Sequence, residues 1–122
     1  MRVLFVDDHR PTREAYATYL KDIGYEVMTS ATGLEVFELV VGWRPAVVVL
    51  DLGLKDVDGW EVTRQLKADE RTALVPIIVF TGAALPHEQV SAMRAGRDRL
   101  VIKPCPPASV VKEIERCVHP DT

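Results

Sequence analysis

The chain has 122 residues, 48% of them hydrophobic and 27% charged, with a formal net charge of −3. That length suits one domain with a real core, and the composition excludes a disordered chain. The slight acidity excludes a basic nucleic-acid surface, and no apolar run approaches the ~20 residues that cross a bilayer.

Apolar blocks alternate with segments of helical period. RVLFV (2–6) reads as a strand and runs straight into two adjacent acids, Asp7 and Asp8. A helix is predicted over 11–23, where Ala15, Tyr16, Tyr19, Leu20 and Ile23 recur at helical spacing. Pro11 suits its first turn and Gly24 its end. Then follow a strand at EVMTS (26–30), a helix over 33–42, a strand at AVVVL (46–50) and a helix over 58–70. PIIVF (76–80) and RLVIK (99–103) read as strands on either side of a helix over 86–95. A last helix over 107–118 carries Val110, Val111, Ile114 and Val118 on its apolar side, and HPDT (119–122) reads as a fraying tail. Near-continuous Val/Ile/Leu runs fit parallel strands covered on both faces. Five β–α units with no repeat and no linker imply one α/β domain over 1–122, a parallel sheet with helices on each side.

In such a sheet ligands bind beyond the carboxyl ends of the strands. The residues expected there are Asp7 and Asp8 after the first strand, Asp51 after the third, Thr81 and Gly82 after the fourth, and Lys103 and Pro104 after the fifth. Carboxylates crowded together need a cation to ionise together. Hard oxygens with room for water suit Mg²⁺. A cation, an ammonium and a hydroxyl make a cradle for a phosphoryl group, and one carboxylate is then placed to attack it and form an acyl phosphate. No Gly-rich Walker loop is present to hold a nucleotide, so the phosphoryl group is expected from a small donor or another protein.

The blocks VLFVDD (3–8), VVVLDLGLKDVDGWE (47–61), IIVFTG (77–82) and AGRDRLVIKP (95–104) together resemble the receiver domain of two-component response regulators, and ATGLEVFELV (31–40) resembles the approach to that family's second helix. The resemblance spans essentially the whole chain. It implies a flavodoxin-like doubly wound (βα)5 three-layer sandwich with strand order 2-1-3-4-5. It also implies that Asp51 accepts the phosphoryl group from a sensor histidine kinase or a histidine phosphotransfer protein. Asp8 would ligate Mg²⁺ directly and Asp7 largely through water, with Asp51 also in the metal set, and the main-chain carbonyl of Gly53 would complete the protein's share of the shell. Thr81 would contact the phosphoryl group and move toward it, Lys103 would pair with a phosphoryl oxygen, and the Lys103–Pro104 peptide would be cis. The product would be a cytoplasmic phosphorylation switch that catalyses only its own phosphorylation and dephosphorylation, without direct contact to nucleic acid or membrane. Its downstream partner or output domain is unspecified, and no output domain follows within these residues.

Two positions depart from the family pattern. Leu100 stands where an aromatic switch residue is usual, so signal read-out is expected to be modest and any homodimer through the last two helices weak. Lys55 stands where proline is usual, and its side chain is expected in solvent. Asp56 and Asp58 read as turn and helix-cap residues rather than ligands. His9 reads as an exposed residue in the opening turn of the first helix, and His87 and His119 as solvated. Trp43 and Trp60 read as partly packed against loops, and Cys105 and Cys117 as reduced thiols. Three other readings bear weighing. A haloacid-dehalogenase-type phosphatase carries a second acid two residues past its nucleophile, where this chain has Gly53. A flavin module wants a phosphate-binding loop after the first strand, where this chain has the acidic DDHRPT (7–12). An inactive receiver acting only by protein contact is the remaining alternative, and Leu100 is what supports it.

Overall fold

The computed structural model describes residues 1–82, 99–102 and 105–118. Within them the elements run β1 (Arg2–Val6), α1 (Arg10–Asp22), β2 (Glu26–Ser30), α2 (Val36–Trp43), β3 (Val47–Asp51), α3 (Gly59–Ala68), β4 (Ile77–Thr81), β5 (Arg99–Ile102) and α4 (Pro107–Val118). The strands form one parallel sheet of order β2-β1-β3-β4-β5, as the flavodoxin-like reading requires. The helix expected over 86–95 lies outside the described residues.

Alternate strand residues face opposite sides of a sheet, and here both sides are apolar. Leu4, Val6, Val48, Leu50, Ile77 and Val79 pack with Val36 and Val40 of α2 and Val62 and Leu66 of α3. Val3, Phe5, Val47, Val49, Ile78, Phe80 and Val101 pack with Tyr16 and Leu20 of α1 and Val110 and Ile114 of α4. This explains why β3 and β4 carry no polar residue before their last position: both strands are buried throughout. Tyr16 stacks on Phe5 with ring centroids 5.1 Å apart and meets Phe80 edge-on at 5.3 Å. Its hydroxyl donates to the Cys105 carbonyl at 3.2 Å. Burial first, then that neighbour, pushes the phenol's pKa far above its ordinary value.

The helix boundaries follow from local chemistry. His9 caps α1, its Nδ1 accepting from the Thr12 amide, with Pro11 in the first turn. The chain leaves α1 through Gly24 at φ +109°, a conformation that favours glycine. Asp58 caps α3 by accepting from the Trp60 amide at 3.0 Å. Trp43 and Trp60 pack against the α2/α3 side of the core rather than against loops alone. Among the described residues no helix is long and apolar enough to cross a membrane.

A buried and an exposed leucine make a direct stability test. Leu66 is fully buried, whereas Leu74 is 92% exposed. Leu66→Ala is expected to cost about 2–5 kcal/mol in urea unfolding, and Leu74→Ala to stay within about 0.5 kcal/mol of the parent.

Candidate phosphoacceptor and metal site

The described candidate acids and Thr81 lie at the carboxyl edge of the sheet. Asp7 follows β1, and its amide donates to Ser30 O at 3.0 Å, carrying the pairing with β2 one residue past the strand. Asp51 closes β3 and Thr81 closes β4. Asp51 pairs with Phe80, so Thr81 stands one position further along the neighbouring strand. Asp7, Asp51 and Thr81 are buried, while Asp8 is half-buried.

One carboxylate oxygen from each of Asp7, Asp8 and Asp51 lies within 4.8 Å of the others. The three carboxylates expected together from sequence do converge, since β1 and β3 are hydrogen-bonded neighbours. A backbone amide supports each acid. His9 N–H donates to Asp7 Oδ1 at 2.8 Å, Gly53 N–H to Asp51 Oδ1 at 2.9 Å, and Lys55 N–H to Asp8 Oδ2 at 3.0 Å. The Arg13 guanidinium reaches back from α1 to the Asp7 carbonyl at 2.9 Å. A compact set of hard anionic oxygens, few in number and open on the Asp8 side, fits a small divalent cation such as Mg²⁺ that keeps several waters.

Several of these roles were not legible in the sequence. Lys55 keeps its side chain in solvent, as expected, but its backbone holds Asp8. A proline there has no N–H to give. Asp56 is a turn residue with a long reach: Oδ1 accepts from Gly33 N at 3.0 Å and Oδ2 from Leu34 N at 3.1 Å. Burial raises its pKa, but the backbone amides of Gly33, Leu34, Asp56 and Val57 outweigh it and hold the carboxyl below its usual value. Leu100 pairs with Val79 and is half-buried against the α2/α3 side of the core. Lys103, Pro104, His87 and His119 lie outside the described residues, as do the ammonium role and the cis peptide assigned to the first two.

Glycine matters where the loop after Asp51 turns into α3. A Cβ on Gly59 would sit 2.7 Å from Leu52 Cα and 3.1 Å from Asp51 O, whereas one on Gly42 in α2 would meet nothing within 4 Å. Gly59→Ala is therefore expected to destabilise by about 1–3 kcal/mol, and Gly42→Ala to stabilise by about 0.4–1 kcal/mol, both read from urea midpoints.

Residues 3–115 match the family model described as the response regulator receiver domain. The chain is 31% identical over 113 residues to the phosphate regulon transcriptional regulatory protein PhoB of Pseudomonas aeruginosa, covering 93% of this chain and 49% of that protein. It is 38% identical over 104 residues to response regulator MprA of Mycobacterium leprae, covering 85% and 45% respectively. The chain thus spans about half the length of these curated relatives. Among solved structures, chemotaxis response regulator CheY4 of Vibrio cholerae superposes with a TM-score of 0.83 at 27% identity, covering 95% of this chain and 97% of that one. The receiver domain of sensor histidine kinase PA1611 from Pseudomonas aeruginosa superposes with a TM-score of 0.83 at 26% identity, covering 96% of both chains; that structure holds a magnesium ion coordinated in the active site cleft.

Proposed function

The chain belongs to the response regulator receiver domain family of two-component signalling, and from that premise we propose that it is a Mg²⁺-dependent phosphorylation switch with Asp51 as the acceptor. The observation that carries this reading is the convergence of Asp7, Asp8 and Asp51, with oxygens within 4.8 Å of one another, at the end of a buried parallel sheet. Asp51 is the acid at the end of the central strand, and its Oδ1 is already oriented by the Gly53 amide.

In the proposed reaction an Asp51 carboxylate oxygen attacks the phosphorus of a phosphohistidine. A P–O bond forms, the P–N bond breaks, and the imidazole leaves with the electron pair and takes up a proton. The donor would be a sensor histidine kinase or a histidine phosphotransfer protein, with small acyl phosphates able to substitute. Asp8 would hold Mg²⁺ directly, Asp7 through water, and the Gly53 carbonyl would add a neutral ligand. Bound Mg²⁺ supplies positive charge to the phosphoryl oxygens and offsets the repulsion between them and the acids. Thr81 would donate its hydroxyl to a phosphoryl oxygen, and Lys103 would pair with another. The domain is proposed to span 1–122 and to act as a signalling module rather than a turnover enzyme. With Leu100 at the switch position, the change around residues 86–118 is proposed to be modest. Output partner and any wider assembly belong to whatever the module is joined to or meets.

The test is phosphate incorporation from acetyl phosphate or a phosphorylated kinase in the presence of Mg²⁺. The parent should acquire acid-stable, base-labile phosphate. Asp51→Asn should acquire none, because an amide lacks the free anionic oxygen. Lys103→Ala should bind Mg²⁺ as the parent does yet accumulate less phosphorylated protein. Labelling of Asp51→Asn at the parent's level would show that another residue is the acceptor.

A further inference from the structure

The segment Gly53–Asp56 touches the site at two points and a second loop at a third. Gly53 N–H donates to Asp51 Oδ1 at 2.9 Å and Lys55 N–H to Asp8 Oδ2 at 3.0 Å. The next residue, Asp56, accepts from both Gly33 N and Leu34 N, at 3.0 and 3.1 Å. Those two amides belong to the turn between β2 and α2, 23 and 22 residues away in sequence from Asp56. Packing supports the same junction: a Cβ on Gly33 would lie 3.0 Å from Val62 Cγ2, 3.2 Å from Leu54 Cδ1 and 3.3 Å from Val57 Cβ. The turn is therefore closely packed against the segment 53–57 and α3.

We propose that Asp56 is a positioning residue that couples the charge state of the Asp8/Asp51 site to the β2–α2 turn, making residues 31–36 a second region that responds to phosphorylation. The proposal rests on the phosphoacceptor reading above. Conversion of the Asp51 carboxylate to an acyl phosphate removes negative charge from the oxygen that accepts the Gly53 amide. That weakens a charge-assisted hydrogen bond. A cation on Asp8 competes in the same way with the Lys55 amide. Both changes act on a segment of four residues whose far end is a two-oxygen clamp. The clamp passes displacement to the turn because its two oxygens hold two successive amides, of Gly33 and Leu34, and the close packing at Gly33 leaves little slack. On the turn side the response reaches Leu34, 75% exposed, and the start of α2 at Val36. Ser30 and Glu35 close the turn from the other end through a 2.6 Å hydrogen bond, so the turn moves as a unit.

Coupling claims need a measurement that separates the link from the sites it joins. Amide chemical shifts are followed on adding Mg²⁺ and then a beryllofluoride phosphoryl mimic to the parent, Asp56→Ala and Asp56→Asn. In the parent, the amides of Gly53 and Lys55 and those of Gly33 and Leu34 should all shift. In Asp56→Ala the shifts at 53–55 should persist while those at 33–34 are lost. Asp56→Asn keeps one acceptor oxygen and should restore part of the response, which a purely structural role would not predict. A turn response in Asp56→Ala equal to the parent's would overturn the proposal, as would a parent in which 53–55 shift and 33–34 do not. Silence at 53–55 as well would remove the phosphoacceptor reading along with it.

Discussion

Like-charge repulsion among Asp7, Asp8 and Asp51 is the constraint around which the rest of the molecule is arranged. Two carboxylates about 4 Å apart repel by roughly 1–4 kcal/mol, depending on how far water penetrates. Asp7 and Asp51 are buried, where water screens their charges less than at the surface. Backbone amides offset part of this cost. Among the described residues, amides of His9, Gly53 and Lys55 donate to Asp7, Asp51 and Asp8, and all three donors sit in the loops that leave the strand ends. The loops are thus shaped by the charges they serve. The cluster of hard anionic oxygens suits a divalent cation, and in the proposed function that cation is what admits a phosphoryl group.

That arrangement needs a rigid base. β1 and β3 are central strands, paired in register from Val3↔Val47 to Val6↔Leu50, which sets the distance between the acids. Apolar side chains cover both sides of the sheet, so neither strand can tilt without opening the core. The aromatic group of Phe5, Tyr16 and Phe80 ties α1, β1 and β4 together directly beneath the carboxyl edge. Leu100 occupies its position half-buried against the opposite side. A leucine there can repack into space but presents no ring to bury or expose. This is consistent with placing more of the response in the loops beside Asp51.

The strands were the most legible part of the sequence, because continuous apolar runs in a parallel sheet leave little ambiguity. β3 and β4 nonetheless run through Asp51 and Thr81, one residue past the apolar blocks at 46–50 and 76–80, since ladder pairing continues into the polar residue. The last helix matched its expected span of 107–118. α2 did not: it begins at Val36 rather than 33. Local periodicity favoured a helix there, but Ser30 binding Glu35 and Asp56 binding the amides of Gly33 and Leu34 hold a turn instead. The acids of the site were legible because they end buried strands. Their amide donors were not, because a backbone N–H leaves no mark on the sequence. Asp56 was read only as a turn residue, since its partners come from a loop that only the folded sheet brings near.

In the proposed function Asp51 alone among the clustered acids takes the phosphoryl group, and does so with Mg²⁺. The most direct measurement is to treat the chain with phosphoramidate, reduce with borohydride, and map the peptides by mass. Borohydride converts an aspartyl phosphate to homoserine and leaves free carboxylates unchanged. The expected result is conversion at Asp51, dependent on Mg²⁺, with Asp7 and Asp8 untouched. Conversion at a different carboxylate, or equal conversion without Mg²⁺, would contradict the account.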